Sequence, residues 1–220
     1  MPQPSTINSQ NFLKHEWRKH EKLYYLPKNA PEFVDVPEFG FYTISGEGNP
    51  NSEKFPDYIQ ALYAVSYAVR MSPKKNMAPT GYFDYTVYPL EGMWDLSAEG
   101  RKNFNAVIDK DELVFTLMIR QPDFLAEDEA LRLLDWAIKN KDIELLKEVT
   151  YQRIQEGTCV QMMHLGSYDN EPESFERMEQ FSEREGLTRL SKVHREIYLS
   201  DIRKVAPEKL KTILRYKVSE

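Results

Sequence analysis

The alternation of apolar and polar residues along the first half of the chain predicts a mixture of strands and one long helix. Apolar side chains that recur every second residue indicate a strand, and those that recur every three or four residues indicate a helix. On this basis strands are expected over 33–45, 82–88 and 113–120, and a helix over 54–71. One stripe of that helix carries Phe55, Ile59, Leu62, Ser66 and Val69.

The second half of the chain follows a similar order. A helical connection over 127–149, made of a helix over 127–139 and a shorter one over 142–149, leads into a strand over 158–165. A helix over 172–185 and strands over 192–199 and 210–217 come next. Each half therefore has the order strand, helix, strand, strand.

The two halves also share a spacing at the junction between their first strand and their helix. Gly46 is followed nine residues later by Phe55, and Gly166 is followed nine residues later by Phe175. A long-period repeat of this kind predicts duplication. We expect an α+β fold of two modules, approximately 31–120 and 158–218, related by a pseudo-twofold axis and forming antiparallel sheets around a central ligand cleft.

The N-terminal region is predicted to lie outside this repeat. Residues 1–10 are polar and are expected to form a loose tail, followed by a short amphipathic helix within 11–25 and a proline-containing linker over 26–31. The domain organisation is therefore a tail and short helix over 1–30 and one domain over 31–220. Within the first strand, Pro37 predicts a bulge or an edge position.

The amino-acid composition limits which binding partners and which cellular compartment are expected for the protein. The 220 residues carry a net charge of −6, which argues against a nucleic-acid-binding surface because phosphate contacts need clustered Lys and Arg. Cys159 is the single cysteine, which excludes an internal disulfide and fits a reducing compartment. No apolar run suits a signal peptide or a membrane span, so we expect a cytoplasmic protein.

No residue pattern predicts a metal or a cofactor. His15 and His20 would diverge by roughly 140° on a helix, which is too far for a shared metal ion. Gly46 and Gly48 lack the third glycine of a dinucleotide-binding loop, and a turn is the favoured interpretation. No serine has the glycine pattern of a nucleophile elbow.

The strand over 192–199 carries candidate chemistry. His194, Glu196 and Tyr198 fall on one face, and apolar residues fall on the other. A carboxylate in such a strand either lies on a solvated surface or points into a cavity, where it needs a partner or a use. The periodicity leaves both interpretations open.

A second group of candidates combines aromatic rings with polar tips. Glu91 and Trp94 follow the segment that ends in Tyr88, while Tyr63 and Tyr67 form a separate stripe on the first long helix. Aromatic stripes usually belong to a core. Their recurring polar tips also suit a site that stacks on planar molecules.

Several stretches together resemble one known family, the GyrI-like small-molecule-binding domains. The matching stretches are His194-Arg195-Glu196-Ile197-Tyr198-Leu199-Ser200-Asp201, Val34-Asp35-Val36-Pro37, Gly46-Glu47-Gly48-Asn49-Pro50-Asn51, Ala61-Leu62-Tyr63-Ala64-Val65-Ser66-Tyr67, Leu90-Glu91-Gly92-Met93-Trp94, and His164-Leu165-Gly166-Ser167-Tyr168-Asp169-Asn170-Glu171-Pro172. They span nearly the whole chain. The resemblance implies the two-module fold and a glutamate at the central cleft, which corresponds to Glu196.

The resemblance also implies ligands and an activity. Family members bind drug-like, often aromatic or cationic molecules. The cyclopropanoid cyclopropyl hydrolase subfamily, which is similar in the segment 90–94, uses an aromatic cage to hydrolyse cyclopropane-bearing alkylating agents. Asp95 stands where a second aromatic residue of that cage is expected.

Three functions are compatible with these patterns: a hydrolase of strained electrophiles, a binding module that sequesters or senses planar xenobiotics without turnover, and an inhibitor that acts through protein contacts. The segment 90–94 favours the hydrolase. Its expected catalytic residues are Glu196 and Glu91, and its expected ligand-binding residues are Trp94, Tyr63, Tyr67, Tyr88, Tyr168, His194 and Tyr198. The expected partner is a planar aromatic small molecule, with no nucleic acid, membrane or cofactor, and the chain is expected to be a monomer or a weak dimer.

Overall fold

A computed structural model describes residues 14–103 and 108–219, so the predicted tail over 1–10 lies outside the described residues. The helices are α1 (Trp17–His20), α2 (Lys22–Tyr25), α3 (Phe55–Arg70), α4 (Ala98–Lys102), α5 (Glu127–Asn140) and α6 (Glu171–Arg184). The strands are β1 (Glu32–Glu47), β2 (Leu90–Leu96), β3 (Leu113–Arg120), β4 (Thr150–Leu165), β5 (Thr188–Arg189), β6 (His194–Tyr198) and β7 (Lys211–Ser219).

Six of these strands form a closed, antiparallel ring. Its order is β4-β1-β3-β2-β6-β7, and β7 pairs again with β4, while β5 is attached to the end of β7. The first module contributes β1, β3 and β2 as neighbours, and the second contributes β4, β7 and β6 in the same relative order. The modules meet through β1 with β4 and through β2 with β6.

The strand order has the symmetry that the repeat predicts. β1 and β4, the first strands of the two modules, pair from Glu32–Gln161 to Thr43–Thr150, and each pairs on its other edge with the last strand of its own module, β3 or β7. Gly46 lies near the end of β1, and Gly166 directly follows β4. The predicted fold class, two pseudo-twofold-related modules with antiparallel sheets, is confirmed.

Helices cover the outer face of the ring on both modules. On the first module, α3 and α5 bury an apolar core whose members include Leu62, Val65, Leu117, Ile119 and Leu133. On the second, α6 covers the outer faces of β4 and β7 through Met178, which packs with Val160, Met162, Leu214, Tyr216 and Val218. Burial of these apolar faces is the main force that holds the helices against the strands.

The inside of the ring combines apolar side chains with two buried ion pairs. Val34, Val36, Phe39, Phe41, Met118 and Cys159 form the apolar part. Arg195 donates to Glu91 over 2.6 Å, and Arg215 donates to Glu156 over 2.9 Å. Glu156 also lies 3.0 Å from Nε of Arg195, so two positive and two negative charges balance where water cannot screen them.

The segment 82–88 is not a strand of the sheet, and that prediction is wrong. Its backbone instead bonds to the N-terminal segment, since His15 donates to the carbonyl of Asp84 over 2.7 Å and accepts from Thr86 over 2.8 Å. Tyr82 and Phe83 are adjacent, yet both pack on Phe124 together with Tyr85, so these side chains do not point to the two opposite faces of a strand. The strand begins after Pro89, at Leu90.

The other differences concern the lengths and types of elements. Within the described part of the predicted helix over 11–25 there are two four-residue helices, α1 and α2. The predicted helix over 142–149 is a 3₁₀ turn, Glu144–Glu148. β4 begins at Thr150 rather than at 158 because it pairs with β1 as well as with β7.

At Pro37 the register of β1 continues without a bulge. Among the described strands, β1 pairs there with β4 alone, which is the edge position that a proline tolerates. The helices of the described residues all fall short of the length and apolarity that a membrane span requires.

Candidate functional site

The predicted site residues gather where the two modules meet through β2 and β6. Gly92 pairs with Glu196, and Trp94 pairs with His194. Because side chains alternate along a strand, Gly92 and Trp94 share the outer face of the ring with the side chains of 194, 196 and 198. This face lies between α3 and α6, and we call it the groove.

Glu196 is held at the floor of the groove by two donors from its own strand. Tyr198 donates its hydroxyl hydrogen to Oε2 over 2.8 Å, and Nε2 of His194 lies 3.1 Å from Oε1. The hydroxyl of Tyr198 in turn accepts the indole N–H of Trp94 over 2.7 Å. These bonds fix the orientation of the carboxylate. Glu196 as a whole is 9% exposed.

Gly92 allows this close approach because it has no side chain. A Cβ atom at this position would lie 2.7 Å from Nε1 of Trp94 and 3.2 Å from the hydroxyl of Tyr198. Any larger residue would therefore displace one of these two groups. No sequence pattern marks Gly92 as a site residue, because the reason for a glycine here lies in contacts across the strands.

Aromatic rings from both modules line the groove. Phe55 of α3 stacks on Trp94 with ring centres 6.1 Å apart, and Phe115 of β3 tilts against the same indole at 5.3 Å. On the opposite side, Phe175 of α6 lies edge-on to His194 at 4.8 Å. Tyr168 lies edge-on to Tyr198 at 6.0 Å. Edge-on and offset arrangements are the favoured geometries for aromatic pairs.

Two tyrosine hydroxyls of the groove stay protonated at neutral pH. Burial, reinforced by the negative charge of Glu196, raises the pKa of Tyr168 to about 12. Burial also raises the pKa of Tyr198 well above its ordinary value, and the charge of Glu196 and its hydrogen bond add to this. Both phenols are therefore hydrogen-bond donors under ordinary conditions.

A second carboxyl group, which no sequence pattern marks as part of the site, lies beside Glu196. Glu171, the first residue of α6, is 7% exposed, and burial together with the neighbouring charge of Glu196 raises its pKa. An acidic residue at the start of a helix is common and usually solvated, so the sequence offered no signal for this burial.

Tyr63 and Tyr67 lie along α3, with ring centres 6.3 Å apart. Tyr63 is largely buried, and this burial raises its pKa. The nearby phenol of Tyr67 raises the pKa further. The backbone of Leu90 lowers this pKa slightly, so the hydroxyl lies near the start of β2. Tyr67 is 50% exposed, so these two residues form a rim rather than the floor of the groove.

The predicted position of Glu91 beside Trp94 is wrong. The two residues are three positions apart on β2 and therefore face opposite sides of the strand. Glu91 points into the ring, is 1% exposed, and accepts hydrogen bonds from Arg195 over 2.6 Å and from Tyr25 over 3.2 Å.

Tyr88 is also outside the groove. It precedes β2, bonds to Glu21, and packs against Tyr25 with ring centres 5.6 Å apart. The guanidinium of Arg120 lies 4.8 Å from the centre of its ring. Tyr88 thus anchors the N-terminal segment to the body of the protein.

The ionisable groups of the groove do not form a metal-binding cluster. In the part of the chain that the structure describes, no three His, Cys, Asp or Glu side chains come close enough to hold a metal ion. The groove therefore combines an oriented carboxylate, a buried second carboxyl group and phenol donors between aromatic walls. This set can bind a planar molecule and direct a polar group or a water molecule at it.

Solved structures with the same architecture include three proteins from Listeria innocua. One described as a hydrolase is 39% identical, with a TM-score of 0.83, and another hydrolase is 40% identical, with a TM-score of 0.84. A third, described as an uncharacterized conserved protein, is 41% identical, with a TM-score of 0.82. Each similarity covers 94% of this chain and 100% of the other.

A more distant similarity shows the fold alone. The C-terminal domain of EcmrR is 17% identical, with a TM-score of 0.50, over 86% of this chain and 97% of that domain. No curated protein matches the chain in sequence. The model of the GyrI-like small molecule binding domain matches residues 29–218, which is most of the chain. The chain therefore belongs to the GyrI-like family of small-molecule-binding domains.

Proposed function

We propose that the groove binds a planar aromatic xenobiotic and hydrolyses a strained cyclopropane ring within it, which protects the cell from an alkylating agent. The observation that carries this proposal is the carboxylate of Glu196, which Tyr198 and His194 hold at the foot of an aromatic wall. A carboxylate that is held in one orientation and shielded from solvent is better suited to act as a general base than one exposed on the surface.

Binding relies on the aromatic side chains. The indole of Trp94 is 6% exposed, packs against Phe55 and Phe115 and donates to Tyr198, so its position is set before a ligand enters. Tyr168 offers a further ring on the side of α6, and Tyr63 and Tyr67 extend the wall along α3. A preorganised aromatic wall loses little conformational entropy when a planar molecule stacks on it.

The chemical step adds one water molecule. Glu196 takes a proton from the water molecule while the water oxygen bonds to the methylene carbon of the cyclopropane. The ring C–C bond breaks, and its electron pair moves through the conjugated system to a carbonyl oxygen. Tyr168, whose phenol remains protonated, stabilises the developing oxyanion by hydrogen bonding, and the proton held by Glu196 then returns to this oxygen.

The two similar Listeria proteins that are described as hydrolases support the reaction class. The substrate class rests on the resemblance of segment 90–94 and on the aromatic groove. Glu91 has no role in this proposal, because its carboxylate is bonded to Arg195 inside the ring.

The direct test is product analysis with a panel of planar compounds that carry a cyclopropane conjugated to a carbonyl group. We expect mass spectrometry to detect a ring-opened product that is heavier by one water molecule and in molar excess over the protein. Glu196→Gln keeps the shape of the side chain and removes its charge. It should lower turnover by about 10²- to 10⁴-fold and leave affinity within a few-fold.

The matched control is Glu38→Gln, the same substitution at a half-exposed carboxylate on β1 that pairs with Arg153. This variant should turn over like the wild type. If the wild type binds the compounds tightly and forms no product from any of them, the chain is a sequestering or sensing module, and the hydrolase proposal is wrong.

A further inference from the structure

The inner face of the strand pair β2–β6 carries an ion pair directly behind the groove. In the register of these strands, Arg195 lies opposite Met93, two positions from Glu91, so the two charged side chains meet diagonally. Both are buried, and Arg195 donates to Glu91 over 2.6 Å. Nε of Arg195 has no aligned acceptor among the described residues, so the bond to Glu91 is the one that orients its guanidinium group.

Tyr25 holds the other oxygen of Glu91. Its hydroxyl group donates to Oε1 over 3.2 Å, while Arg195 donates to Oε2. Tyr25 belongs to α2 and packs against the rings of Trp17 and Tyr88, with ring centres 5.4 and 5.6 Å away. The phenol is therefore fixed by its own neighbours, and it fixes the carboxylate in turn.

A second arginine makes the charge of Glu91 necessary. Arg195 lies opposite Arg215 of β7. Glu156 lies 3.0 Å from Nε of Arg195 and accepts from Arg215 over 2.9 Å. Without Glu91, two guanidinium groups would share one carboxylate where water cannot screen them. Such an imbalance is costly, so the strands keep the register in which the four charges are paired.

The same register sets the geometry of the groove on the outer face. It places Gly92 opposite Glu196. Trp94 donates to Tyr198 across the two strands over 2.7 Å, and Tyr198 donates to Glu196 over 2.8 Å. A displacement of about 1 Å between the strands would take the bond from the indole beyond hydrogen-bonding range. The ion pair on the inner face and the hydrogen bonds on the outer face therefore depend on one alignment.

We propose that Glu91 is a positioning residue: by bonding to Arg195, it aligns β2 with β6 and so sets the hydrogen bonds of the groove. Tyr25 holds Glu91 in place, which gives α2 a role in the geometry of the groove. Glu91 acts through the strands and does not touch the ligand. The inference rests on the proposed function for the role of the groove, and its main test needs neither ligand nor turnover.

The test compares two substitutions that each remove one buried phenolic hydroxyl group. Tyr25→Phe keeps the ring and removes the donor to Glu91. Tyr42→Phe, the matched control, removes a buried donor to the carbonyl of Ala130 and leaves the contacts of Glu91 unchanged. Each variant loses one buried hydrogen bond, so the general loss of stability should be similar in the two.

The main readout is the indole N–H signal of Trp94 in proton–nitrogen correlation NMR spectra of the ligand-free protein, identified by its absence in Trp94→Phe. Tyr25→Phe should move this signal, and Tyr42→Phe should leave it in place. Hydrogen exchange gives a second readout. Tyr25→Phe should accelerate exchange at the amides of β6 about fivefold more than Tyr42→Phe does, because only the first substitution loosens this strand locally.

Glu91→Gln tests the positioning residue itself. It keeps the size of the side chain and removes the charge that orients Arg195, so it should move the Trp94 signal further than Tyr25→Phe does. If this variant does not fold, the comparison of Tyr25→Phe with Tyr42→Phe decides the question.

Turnover provides a separate measurement. With a hydrolysed substrate, Tyr25→Phe should lower kcat about five- to tenfold and leave KM within about twofold, while Tyr42→Phe changes neither. An unmoved Trp94 signal in Tyr25→Phe, or equal effects of the two tyrosine substitutions on the signal and on exchange, would overturn the proposal. A Trp94 signal that moves in Tyr25→Phe alone, with no hydrolysis of any substrate by the wild type, would instead reject the proposed function and leave this inference intact.

Discussion

Tyr198 and Glu196, two residues apart on the same face of β6, are joined by a hydrogen bond of 2.8 Å in which the phenol donates to the carboxylate. The same phenol accepts the indole N–H of Trp94. One hydroxyl group therefore connects the proposed base to the aromatic wall. The orientation of the carboxylate and that of the indole depend on each other.

Replacing this hydroxyl is the first test. Tyr198→Phe leaves the indole N–H of Trp94 without its acceptor and Oε2 of Glu196 without its donor. We expect the free energy of unfolding to fall by about 1–3 kcal/mol and turnover to fall at least tenfold. Denaturant titration and product formation measure the two effects. Tyr24→Phe, which removes a hydroxyl on α2 outside the groove, should change neither quantity.

The indole itself is tested by two substitutions. Trp94→Ala removes the ring that stacks on Phe55 and should weaken both the binding of planar ligands and turnover. Trp94→Phe retains an aromatic ring and should lose less affinity, because only the N–H group and part of the area are gone. Calorimetric titration gives the affinities. Equal affinity of Trp94→Ala and the wild type would show that the ligand does not bind at this wall.

The requirement for glycine at position 92 is tested by a double-mutant cycle. Gly92→Ala places a methyl group 2.7 Å from Nε1 of Trp94, so we expect a loss of about 1–3 kcal/mol in stability together with weaker ligand binding. In a Trp94→Ala background the added methyl group has space, and the same substitution should cost much less. If the two substitutions are additive in denaturant titrations, the close contact with the indole is not the reason for the glycine.

The buried ion pairs inside the ring predict a pH dependence of stability. Glu156 is buried, which by itself would raise its pKa, but Arg195 and Arg215 lower it below the ordinary value of 4.5. Because the folded-state pKa is the lower one, the stabilisation is present above about pH 4.5 and is lost as the pH falls through the folded-state value. Glu156→Gln should therefore flatten the acid side of the stability curve.

The same substitution should cost about 3–5 kcal/mol at pH 7, because two buried guanidinium groups lose a charged partner. Glu38→Gln removes a half-exposed partner of Arg153 and should cost no more than about 1 kcal/mol. Urea titrations of the three proteins between pH 3 and about pH 7 give the comparison. Parallel curves for the wild type and Glu156→Gln would contradict the assigned role of the ion pairs.

Periodicity predicted much of this fold, and its failures have physical causes. The two-residue period of 192–199 predicted that His194, Glu196 and Tyr198 share a face, as they do in β6. It failed at 82–88, where the adjacent residues Tyr82 and Phe83 both pack on Phe124 and the backbone does not belong to the sheet.

The parts of the site that the sequence could not predict depend on contacts between distant segments. Glu91 and Trp94 are three residues apart, and their opposite faces follow from the two-residue period only once 90–96 is known to be a strand. The burial of Glu171 arises from its position against a strand that follows later in the chain, and an acidic helix start gives no sign of it. The space beside Gly92 is set by side chains from both modules.

Closure of the strand ring also affects the order in which the protein can fold during synthesis. A nascent chain that has completed β3 carries two unpaired sheet edges, β1 and β2, whose partners β4 and β6 are translated later. Exposed edges of this kind pair with other chains, and pairing between distant segments is slow. The first module made alone is therefore expected to aggregate, and the second module acts, during biosynthesis, as an intramolecular chaperone for the first.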